Sequence, residues 1–291
     1  MPGLFRTASG IILLLLVGGC ATQPPTRTDT AAAQPGAPQQ DRLLPLEGGQ
    51  NFRDLGGYPA ADGKTVKWRT LYRSGSMQDL TASDLGYLSR LGIRTICDFR
   101  STAERQRHPV NWPAEGAPHV LSRDYVLVLD ALMRPLKDPA IDVPRARAAM
   151  ESFYAELPFT FADDYRAMFG ELLAGRAPLA FNCSAGKDRT GVAAALLLTA
   201  LGVPRAVVTQ DYLLSARHYR YIESQQDPKE AAFWASLPPG VMQAITGVDQ
   251  AYLDAAFRAI EAGPGGLDGY FRQQLGLGAD ELARLRSLYL E

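Results

Sequence analysis

The segment that most limits the fold of this chain is a nine-residue run between two apolar stretches. It reads Cys183-Ser184-Ala185-Gly186-Lys187-Asp188-Arg189-Thr190-Gly191. The apolar residues before it, Pro178 to Asn182, are typical of a buried strand, and the small apolar residues after it, Gly191 to Leu201, are typical of a buried helix. A loop that enters a helix N-terminus directs backbone N–H groups and the positive end of the helix dipole at one point. The sequence therefore predicts a strand, an anion-binding loop and a helix, in that order.

The residue types in this segment, hereafter the Cys183 loop, indicate chemistry on a phosphate group. Cys183 would place a thiol beneath a bound anion, and Arg189 would place a guanidinium beside it. These groups are sufficient to accept a phosphoryl group on sulfur and to pass it to water. A buried cysteine ahead of a helix is the alternative interpretation. The anion-binding loop is favoured because Gly186 allows a positive φ and because the Thr190 hydroxyl lies within reach of the thiolate.

The rest of the chain alternates strand and helix patterns and becomes wholly helical towards its C-terminal end. Strands are expected at Thr70–Arg73 and Ile93–Phe99, and between them a helix that Thr81 caps. Further helices are expected at about 145–157, 161–174, 204–217, 229–236, 249–262 and 279–290. This pattern predicts an α/β fold with a central, mostly parallel sheet flanked by helices and a helical C-terminal part. Ligands bind beyond the carboxyl ends of parallel strands, so Asp98 and Cys183 converge on one pocket if their strands are neighbours.

The first 42 residues are predicted to be an export signal and a tether. The apolar run from Ile11 is too short to span a bilayer comfortably, and Gly18-Gly19-Cys20 resembles a bacterial lipoprotein cleavage box. We expect residues 1–20 to be a lipoprotein signal peptide, with lipid on the sulfur of Cys20. Residues 21–42 are rich in Ala, Thr, Gln and Pro, which favours a disordered linker over a buried N-terminal helix. Residues 43–291 then form one domain of an exported protein, anchored on the periplasmic side or at the surface of a bacterium.

The composition argues against several other classes of function. The net charge of −1 gives no electrostatic reason to expect binding to nucleic acid. His108, His119 and His218 are far apart in the sequence, and the chain has no Cys/His cluster with metal-binding spacing, so we expect no metal. It also has no glycine-rich nucleotide motif, so we expect no cofactor.

Two cysteines remain if Cys20 carries lipid. In an exported protein such a pair suggests a disulfide between Cys97 and Cys183. The other interpretation keeps Cys183 as a reactive thiol, which Cys97 could still protect reversibly from over-oxidation. The sequence leaves these alternatives open because it does not give the separation of the two Cα atoms.

Further segments extend the pattern beyond the Cys183 loop. They are Asn51 to Tyr58, Leu71 to Gly75, Asp98 to Ser101 with Glu104, Tyr252-Leu253, Gly269 to Phe271 and Leu275 to Leu277. Together with the loop, these segments resemble the atypical bacterial tyrosine and lipid phosphatases, in the same order and from about Leu46 to Leu290. The resemblance implies a protein tyrosine phosphatase-like fold and cysteine-dependent hydrolysis of phosphomonoesters. The chain departs from the family at Asn182, where relatives usually have a histidine that helps to hold the loop and activate the thiol.

The resemblance also implies a role for each residue of the Cys183 loop. Cys183 is the nucleophile, Arg189 grips two phosphate oxygens, and Thr190 hydrogen-bonds the sulfur. Backbone N–H groups of residues 184–189 hold the remaining oxygens. The expected substrate-binding residues of the loop are Ser184, Ala185, Gly186 and Lys187. The side chain of Lys187 is either a solvated lysine or a charge suited to a second phosphate.

Two aspartates are candidates for the general acid that protonates the leaving group. Asp188 lies inside the loop, and Asp98 ends the neighbouring strand in the resembled family. The alternative for Asp188 is a carboxylate that braces the loop, and the alternative for Asp98 is an ion pair with an arginine such as Arg53 or Arg100. We favour Asp188 and keep Asp98 as the second candidate.

A polar cluster near the start of the domain is a further candidate for substrate binding. Asn51, Arg53 and Asp54 precede Gly56-Gly57, and the two glycines suggest a tight turn. The cluster either borders the pocket or forms a capped surface loop.

These features leave three classes of function. The first is a lipid-anchored phosphatase that acts on phosphotyrosine, phosphoinositides or both through a phosphocysteine intermediate, with a phosphorylated protein or phosphoinositide and the membrane as its partners. The second is a non-catalytic module that binds phosphate with the same loop, which Asn182 alone favours. The third, a sulfurtransferase or arsenate reductase, does not explain the other matching segments.

Overall fold

A five-stranded sheet supports the Cys183 loop within the described residues. The computed structural model describes residues 41–220 and 228–291, so the predicted signal peptide, Cys20 and most of the predicted linker lie outside the described residues. The strands are β1 (Arg53–Asp54), β2 (Leu71–Ser74), β3 (Thr95–Asp98), β4 (His119–Ser122) and β5 (Leu179–Asn182), and their order in the sheet is β1-β2-β5-β3-β4. Strands β2, β5, β3 and β4 are parallel to one another, and β1 is antiparallel to β2. The predicted α/β fold with a mostly parallel sheet is confirmed.

Helices surround this sheet and make up most of the C-terminal part of the chain. They are α1 (Ala82–Arg90), α2 (Thr102–Arg107), α3 (Asp130–Leu136), α4 (Val143–Thr160), α5 (Ala162–Leu173), α6 (Arg189–Ala200), α7 (Arg205–Leu213), α8 (Ser215–His218), α9 (Pro228–Ser236), α10 (Pro239–Thr246), α11 (Gln250–Glu261), α12 (Gly266–Gln273) and α13 (Ala279–Tyr289). Helix α6 packs on β2 and β5, and α5 packs on β3. The expected helices at 145–157, 161–174, 249–262 and 279–290 correspond to α4, α5, α11 and α13.

The strand and helix on either side of the Cys183 loop are almost entirely buried. Every residue of β5 is buried because β5 pairs with a strand on each side. All residues of α6 except Thr199 are buried, which explains why its sequence is apolar on every face. The loop is therefore held between two elements that are themselves fixed by the core.

The helix that follows β2 begins and ends as the sequence predicts. The Thr81 side chain accepts a hydrogen bond from the Asp84 amide at 3.1 Å, and Asp84 Oδ2 accepts one from the Thr81 amide at 3.0 Å. These two bonds form a capping box, which satisfies two backbone donors at the helix start. Gly92, with a φ of 68°, lies just beyond the helix end.

Two features of the fold bear on the predicted domain and its site. Residues Asp41–Glu291 form one compact unit, and Arg42, which was predicted to end the linker, stacks its guanidinium on Tyr58 at 3.5 Å from the ring centroid. Strands β3 and β5 are neighbours, with Asp98 opposite Asn182, so the predicted convergence of the two strand ends is confirmed. None of the described helices is both long and apolar enough to cross a bilayer.

Candidate active site

The Cys183 loop turns sharply between β5 and α6, and Gly186 makes this turn possible. Gly186 has a φ of 69°, a region that side chains with a Cβ rarely adopt. A Cβ at this position would lie 2.5 Å from the backbone nitrogen of Gly75 and 2.6 Å from the carbonyl carbon of Ser74. The loop therefore rests directly on the end of β2, and only glycine fits at the point of contact.

The thiol of Cys183 lies at the carboxyl end of the central strand and next to the start of α6. The residue is 1% exposed and has no disulfide partner. The first turn of α6 contains Thr190, which is fully buried and donates a hydrogen bond from Oγ1 to the Ser74 carbonyl at 3.5 Å. The predicted bond from Thr190 to the sulfur stays a prediction.

The guanidinium of Arg189 is held in one orientation by four groups. Nη1 donates to Glu104 Oε2 at 2.8 Å, to the Tyr125 hydroxyl at 2.8 Å and to the Phe99 carbonyl at 2.9 Å. Nη2 donates to Glu104 Oε1 at 2.7 Å and lies 3.5 Å from Ser184 Oγ. The bidentate pair with Glu104 fixes the plane of the guanidinium as well as its position.

Glu104, whose role the sequence did not indicate, is the residue that pairs with both Nη groups of Arg189. It is the third residue of α2, where its Oε2 accepts a bond from the Ser101 amide at 2.7 Å and completes a capping box. Ser184 Oγ also donates to Glu104 Oε1, at 2.5 Å. Burial alone would raise the pKa of Glu104, but the bonds from Arg189, its charge and the bonds from Ser184 and Ser101 hold that pKa well below its usual range. Glu104 is therefore ionised and links the helix cap to the loop.

Asp188 lies at the N-cap position of α6 and receives two hydrogen bonds on one oxygen. The Tyr154 hydroxyl donates to Asp188 Oδ1 at 2.7 Å, and Lys187 Nζ donates to the same oxygen at 2.8 Å. The Lys187 ammonium also donates to the Ile245 carbonyl of α10 at 3.1 Å, and the residue is only 5% exposed. Lys187 is therefore not the solvated loop lysine of the alternative interpretation, and it borders a cavity of about 500 Å³. The Asp188 side chain is 19% exposed.

Asp98, the second candidate acid, forms a buried ion pair with Arg100. Arg100 Nε lies 3.0 Å from both carboxylate oxygens of Asp98, and Arg100 Nη2 donates to Oδ2 at 2.7 Å. Asn182 Nδ2 donates to Asp98 Oδ1 at 3.2 Å from the adjacent strand. Asp98 thus makes the ion pair with Arg100 that the sequence analysis gave as the alternative. The Oδ1 of Asn182 is buried and has no hydrogen-bond partner within the described parts of the chain.

This arrangement agrees with the similarity of the chain to known proteins. Residues 44–291 match the model of the Tyrosine phosphatase family. The chain belongs to the tyrosine phosphatase family. It is 36% identical over 247 residues to a Cupriavidus necator protein named as a tyrosine-protein phosphatase, a match that covers 82% of this chain and 85% of the relative. It is 30% identical over 280 residues to the triple specificity protein phosphatase PtpB of Mycobacterium tuberculosis, covering 84% and 98%.

One solved structure similar to this phosphatase is a Pseudomonas aeruginosa TpbA variant in complex with phosphotyrosine. The two chains are 17% identical, the match covers 74% of this chain and 91% of the other, and the TM-score is 0.29. Membership of the family makes this chain a protein-tyrosine phosphatase, and the site described above lies within the matched residues.

Two of the three residues in the N-terminal polar cluster brace the back of the loop. Asn51 Nδ2 donates to the Gly186 carbonyl at 2.9 Å and to Ser215 Oγ at 3.2 Å. Arg53 Nη1 donates to Asn51 Oδ1, and Arg53 Nη2 donates to the Asp211 carbonyl at 3.0 Å. Asn51 and Arg53 are at most 1% exposed, so in this structure they support the loop from within the core.

Asp54 lies away from the loop and orders a turn. Its Oδ1 accepts a bond from the Gly56 amide at 2.8 Å, and its Oδ2 accepts one from the Arg69 amide at 2.8 Å. Burial raises the pKa of Asp54, and the two amide bonds oppose this shift. Both oxygens accept hydrogen bonds from backbone amides at the tight turn that Gly56-Gly57 predicted.

A second set of charges behind the loop was not predicted. Arg73 Nη2 donates to the Gly186 carbonyl at 2.8 Å, and Arg73 Nη1 donates to Asp211 Oδ2 at 2.6 Å. Arg53 shares the same carboxylate, at 3.6 Å from Oδ1, and Tyr58 donates to that oxygen at 3.0 Å. Burial and the charge of Arg73 lower the pKa of Arg53 to about 10. The charge of Arg73 was visible in the strand sequence, but nothing marked Asp211 within its helix.

The two cysteines of the domain are free thiols, so of the two alternatives that the sequence left open the structure shows no disulfide. Cys97 on β3 lies opposite Phe181 on β5, so Cys183 is two residues further along the neighbouring strand. The strand spacing and the rise per residue put their Cα atoms roughly 8 Å apart, beyond the span of a disulfide. Burial raises the pKa of the Cys97 thiol. Residues 41–220 and 228–291 contain no group of three or more His, Cys, Asp or Glu side chains placed to hold a metal ion.

Proposed function

We propose that this phosphatase works through a phosphocysteine intermediate on Cys183. The thiolate sulfur attacks phosphorus, the S–P bond forms, and the bond from phosphorus to the ester oxygen breaks. Water then attacks phosphorus, the S–P bond breaks, and the thiolate is regenerated with release of inorganic phosphate. The observation that carries the proposal is the position of the buried Cys183 directly after β5, six residues before Arg189 begins α6.

Arg189 holds the transferred group in both steps. Its Nη atoms donate to Glu104, Tyr125 and the Phe99 carbonyl, which fixes the plane of the guanidinium before substrate binds, and phosphate oxygens that arrive at Nη must replace some of these bonds. The N–H groups of residues 184–189 supply the remaining donors, because the loop ends at a helix N-terminus. Donors that are fixed before the reaction stabilise the charge of the transition state more than mobile ones do.

Asp188 acts as the general acid in the first step and as the base towards water in the second. It is partly exposed, whereas the carboxylate of Asp98 is 6% exposed and paired with Arg100. An acid must reach the leaving oxygen, and both carboxylate oxygens of Asp98 face the Arg100 guanidinium, whereas Oδ2 of Asp188 receives neither of the bonds from Tyr154 and Lys187. The geometry therefore favours Asp188, in agreement with the preference from sequence.

Phosphotyrosine is the proposed substrate, and phosphoinositides are the second candidate. The buried ammonium of Lys187 beside the cavity of about 500 Å³ favours a substrate with further polar groups. The triple specificity in the name of the M. tuberculosis relative is compatible with more than one substrate class. Phosphate release from phosphotyrosine peptides and from phosphoinositide vesicles, measured with the same preparation, compares the two candidates.

The test of the catalytic proposal is hydrolysis of p-nitrophenyl phosphate by the full chain and by Cys183→Ser. We expect release of p-nitrophenol by the wild type and a loss of at least about a thousandfold in the variant, because the serine hydroxyl is not ionised at neutral pH. Trapping with acid after brief exposure to ³²P-labelled substrate should label the wild type on cysteine. Equal turnover by the two proteins would favour the alternative of a non-catalytic phosphate-binding module.

We also propose that the chain is exported and anchored to a bacterial membrane through lipid on Cys20. The support is the apolar segment that ends at Gly18-Gly19-Cys20 and the polar composition that follows it. In a bacterial host, the wild type should partition into the membrane fraction and the Cys20→Ser variant should not. Recovery of both in the same fraction, with no lipid mass on the N-terminal peptide, would remove this part of the proposal.

A further inference from the structure

A chain of buried hydroxyl groups ends on the carboxylate of Asp188. The Tyr212 hydroxyl of α7 donates to the Tyr154 hydroxyl of α4 at 2.8 Å, and the Tyr154 hydroxyl donates to Asp188 Oδ1 at 2.7 Å. Both tyrosines are fully buried, so no solvent competes for these bonds. These hydrogen bonds join α4 and α7 to the Cys183 loop, and neither tyrosine takes part in the chemical steps of the proposed function.

The direction of donation in this chain is fixed. Burial raises the pKa of both Tyr154 and Tyr212, and the negative charge of Asp188 adds to the shift, so both remain protonated. An ionised carboxylate can only accept, so the Tyr154 proton points to Asp188 and the Tyr212 proton points to Tyr154. Donors aligned in this way polarise one another, which strengthens the last bond of the chain.

Packing holds the chain in place. The Tyr154 ring lies against Tyr212 at 6.0 Å with an interplanar angle of 78°, and against Tyr252 of α11 at 5.6 Å. The groups that face the Asp188 carboxylate are Tyr154 from α4, the ammonium of Lys187 from the loop and, behind Tyr154, the hydroxyls of Tyr212 and Tyr252. Among the described residues, the bonds to Asp188 both end on Oδ1.

We propose that Tyr154, supported by Tyr212, is a positioning residue that turns Asp188 so that Oδ2 carries the catalytic proton. This inference rests on the proposed role of Asp188 as general acid. In the first step the Oδ2 proton moves to the leaving oxygen as the ester bond to phosphorus breaks. The charge left on the carboxylate is then shared with the two donors on Oδ1, and in the second step Oδ2 takes a proton from the attacking water.

The test measures the hydrolysis of p-nitrophenyl phosphate and of phenyl phosphate by Tyr154→Phe and by the wild type over a range of pH. Without the donor the ionised carboxylate is less stable, so we expect the alkaline limb of kcat/KM to move up by about one pH unit. Loss of the Asp188 orientation should also slow the hydrolysis of phenyl phosphate, whose phenol is a poor leaving group, by about tenfold more than the hydrolysis of p-nitrophenyl phosphate. Tyr212→Phe keeps the bond between Tyr154 and Asp188, so it should move the limb in the same direction by less.

The matched control is Tyr270→Phe. The Tyr270 hydroxyl is also buried and donates to the Pro158 carbonyl of α4, so this variant loses one buried bond on the same helix without touching Asp188. We expect its pH profile and its ratio of rates on the two substrates to match the wild type. If Tyr154→Phe does not fold, the smaller shift in Tyr212→Phe decides the matter.

The outcomes separate this inference from the proposed function. If Tyr154→Phe and Tyr212→Phe both behave like Tyr270→Phe while Asp188→Asn selectively slows phenyl phosphate, the positioning role is wrong and Asp188 is still the acid. If Asp188→Asn shows no such selectivity, the acid assignment and the positioning role both fail, although labelled Cys183 would still support the phosphocysteine mechanism. If the wild type forms no phosphocysteine, the proposed function itself fails.

Discussion

At the scale of single residues, the site depends on contacts that hold Arg189 before any substrate arrives. Glu104 is the main one, because it receives both Nη groups and is itself fixed by the Ser101 amide and the Ser184 hydroxyl. A carboxylate in this position costs desolvation, and that cost is offset only while the guanidinium is present. Glu104 therefore couples the orientation of Arg189 to the fold of α2.

We predict that Glu104→Gln lowers kcat/KM by about a hundredfold, because a misplaced Arg189 no longer meets the phosphate oxygens in the transition state. The pKa of Glu104 is depressed in the folded protein, so the ion pair stabilises the fold above the usual pKa of a glutamate and this stability is lost as the pH falls through the depressed value. At pH 7 the variant should lose about 2 kcal/mol of unfolding free energy. Urea titration and steady-state kinetics measure the two effects.

The control for this prediction is Glu151→Gln, which breaks a pair with Arg258 in which both side chains are more than a third exposed. Exposed pairs contribute little to stability, so this variant should resemble the wild type in both measurements. A Glu104→Gln enzyme with wild-type kcat/KM would show that Arg189 keeps its orientation without the carboxylate.

Much of the residue-level chemistry could be predicted from sequence because it lies in one continuous loop. Cys183, Arg189 and Gly186 stand where a strand, a turn and a helix N-terminus must place them. The supporting residues could not be predicted, because they come from distant segments. Asp211 is one polar residue within a helix, and only the packing of α7 against α6 brings it behind the loop.

At the scale of elements, the parallel pairing of β3 and β5 explains both the convergence of the site and the separation of the cysteines. The same register that sets Asp98 opposite Asn182 sets Cys97 opposite Phe181. Parallel strands keep this offset along their length, so Cys97 cannot approach Cys183 without breaking ladder bonds.

We therefore predict that hydrogen peroxide inactivates the wild type and Cys97→Ser at the same rate. Cys183 should oxidise to a sulfenic acid that dithiothreitol reduces, and Cys97 should take no part because its buried thiol has a raised pKa. Mass spectrometry of peptides from the oxidised, unreduced protein measures this directly. A cross-linked peptide pair containing Cys97 and Cys183 would contradict the separation of the two strands' residues.

The elements that the sequence did not predict are short or exposed. Strand β1 has two residues, and β4 is a largely exposed edge strand whose sequence has no strong alternation. Helices α2, α10 and α12 have eight residues or fewer, too few for a clear helical period. Helices α4 and α11, which pack on each other, have 18 and 12 residues and could be located to within three residues at each end.

At the scale of the whole molecule, buried charge ties the N-terminal strands to the C-terminal helices. Arg53 on β1 and Arg73 on β2 meet Asp211 on α7, where two guanidinium groups share one carboxylate. Lys187 in the loop reaches the carbonyl of Ile245 on α10. These contacts join segments that are far apart in sequence, so the conformation of the loop depends on the fold of the whole domain.

This dependence on buried carboxylates predicts that acid unfolds the domain. The pKa values of Asp211 and Glu104 are lowered in the folded state, so their stabilisation is full above the usual carboxylate values of about 4 and is lost as the pH falls below them. The pKa of Asp54 is raised, so this group changes the stability in the opposite direction, but Asp211 and Glu104 together outnumber it. We expect the urea midpoint to fall between pH 7 and pH 3.

Because Asp211→Asn leaves Arg53 and Arg73 without their shared anion, it should cost about 3 kcal/mol of unfolding free energy at pH 7 and less at pH 3. The exposed Asp62→Asn should follow the wild type at both pH values. A difference in unfolding free energy between Asp211→Asn and the wild type that stays constant across this range would show that the Asp211 charge does not join the N-terminal strands to the C-terminal helices.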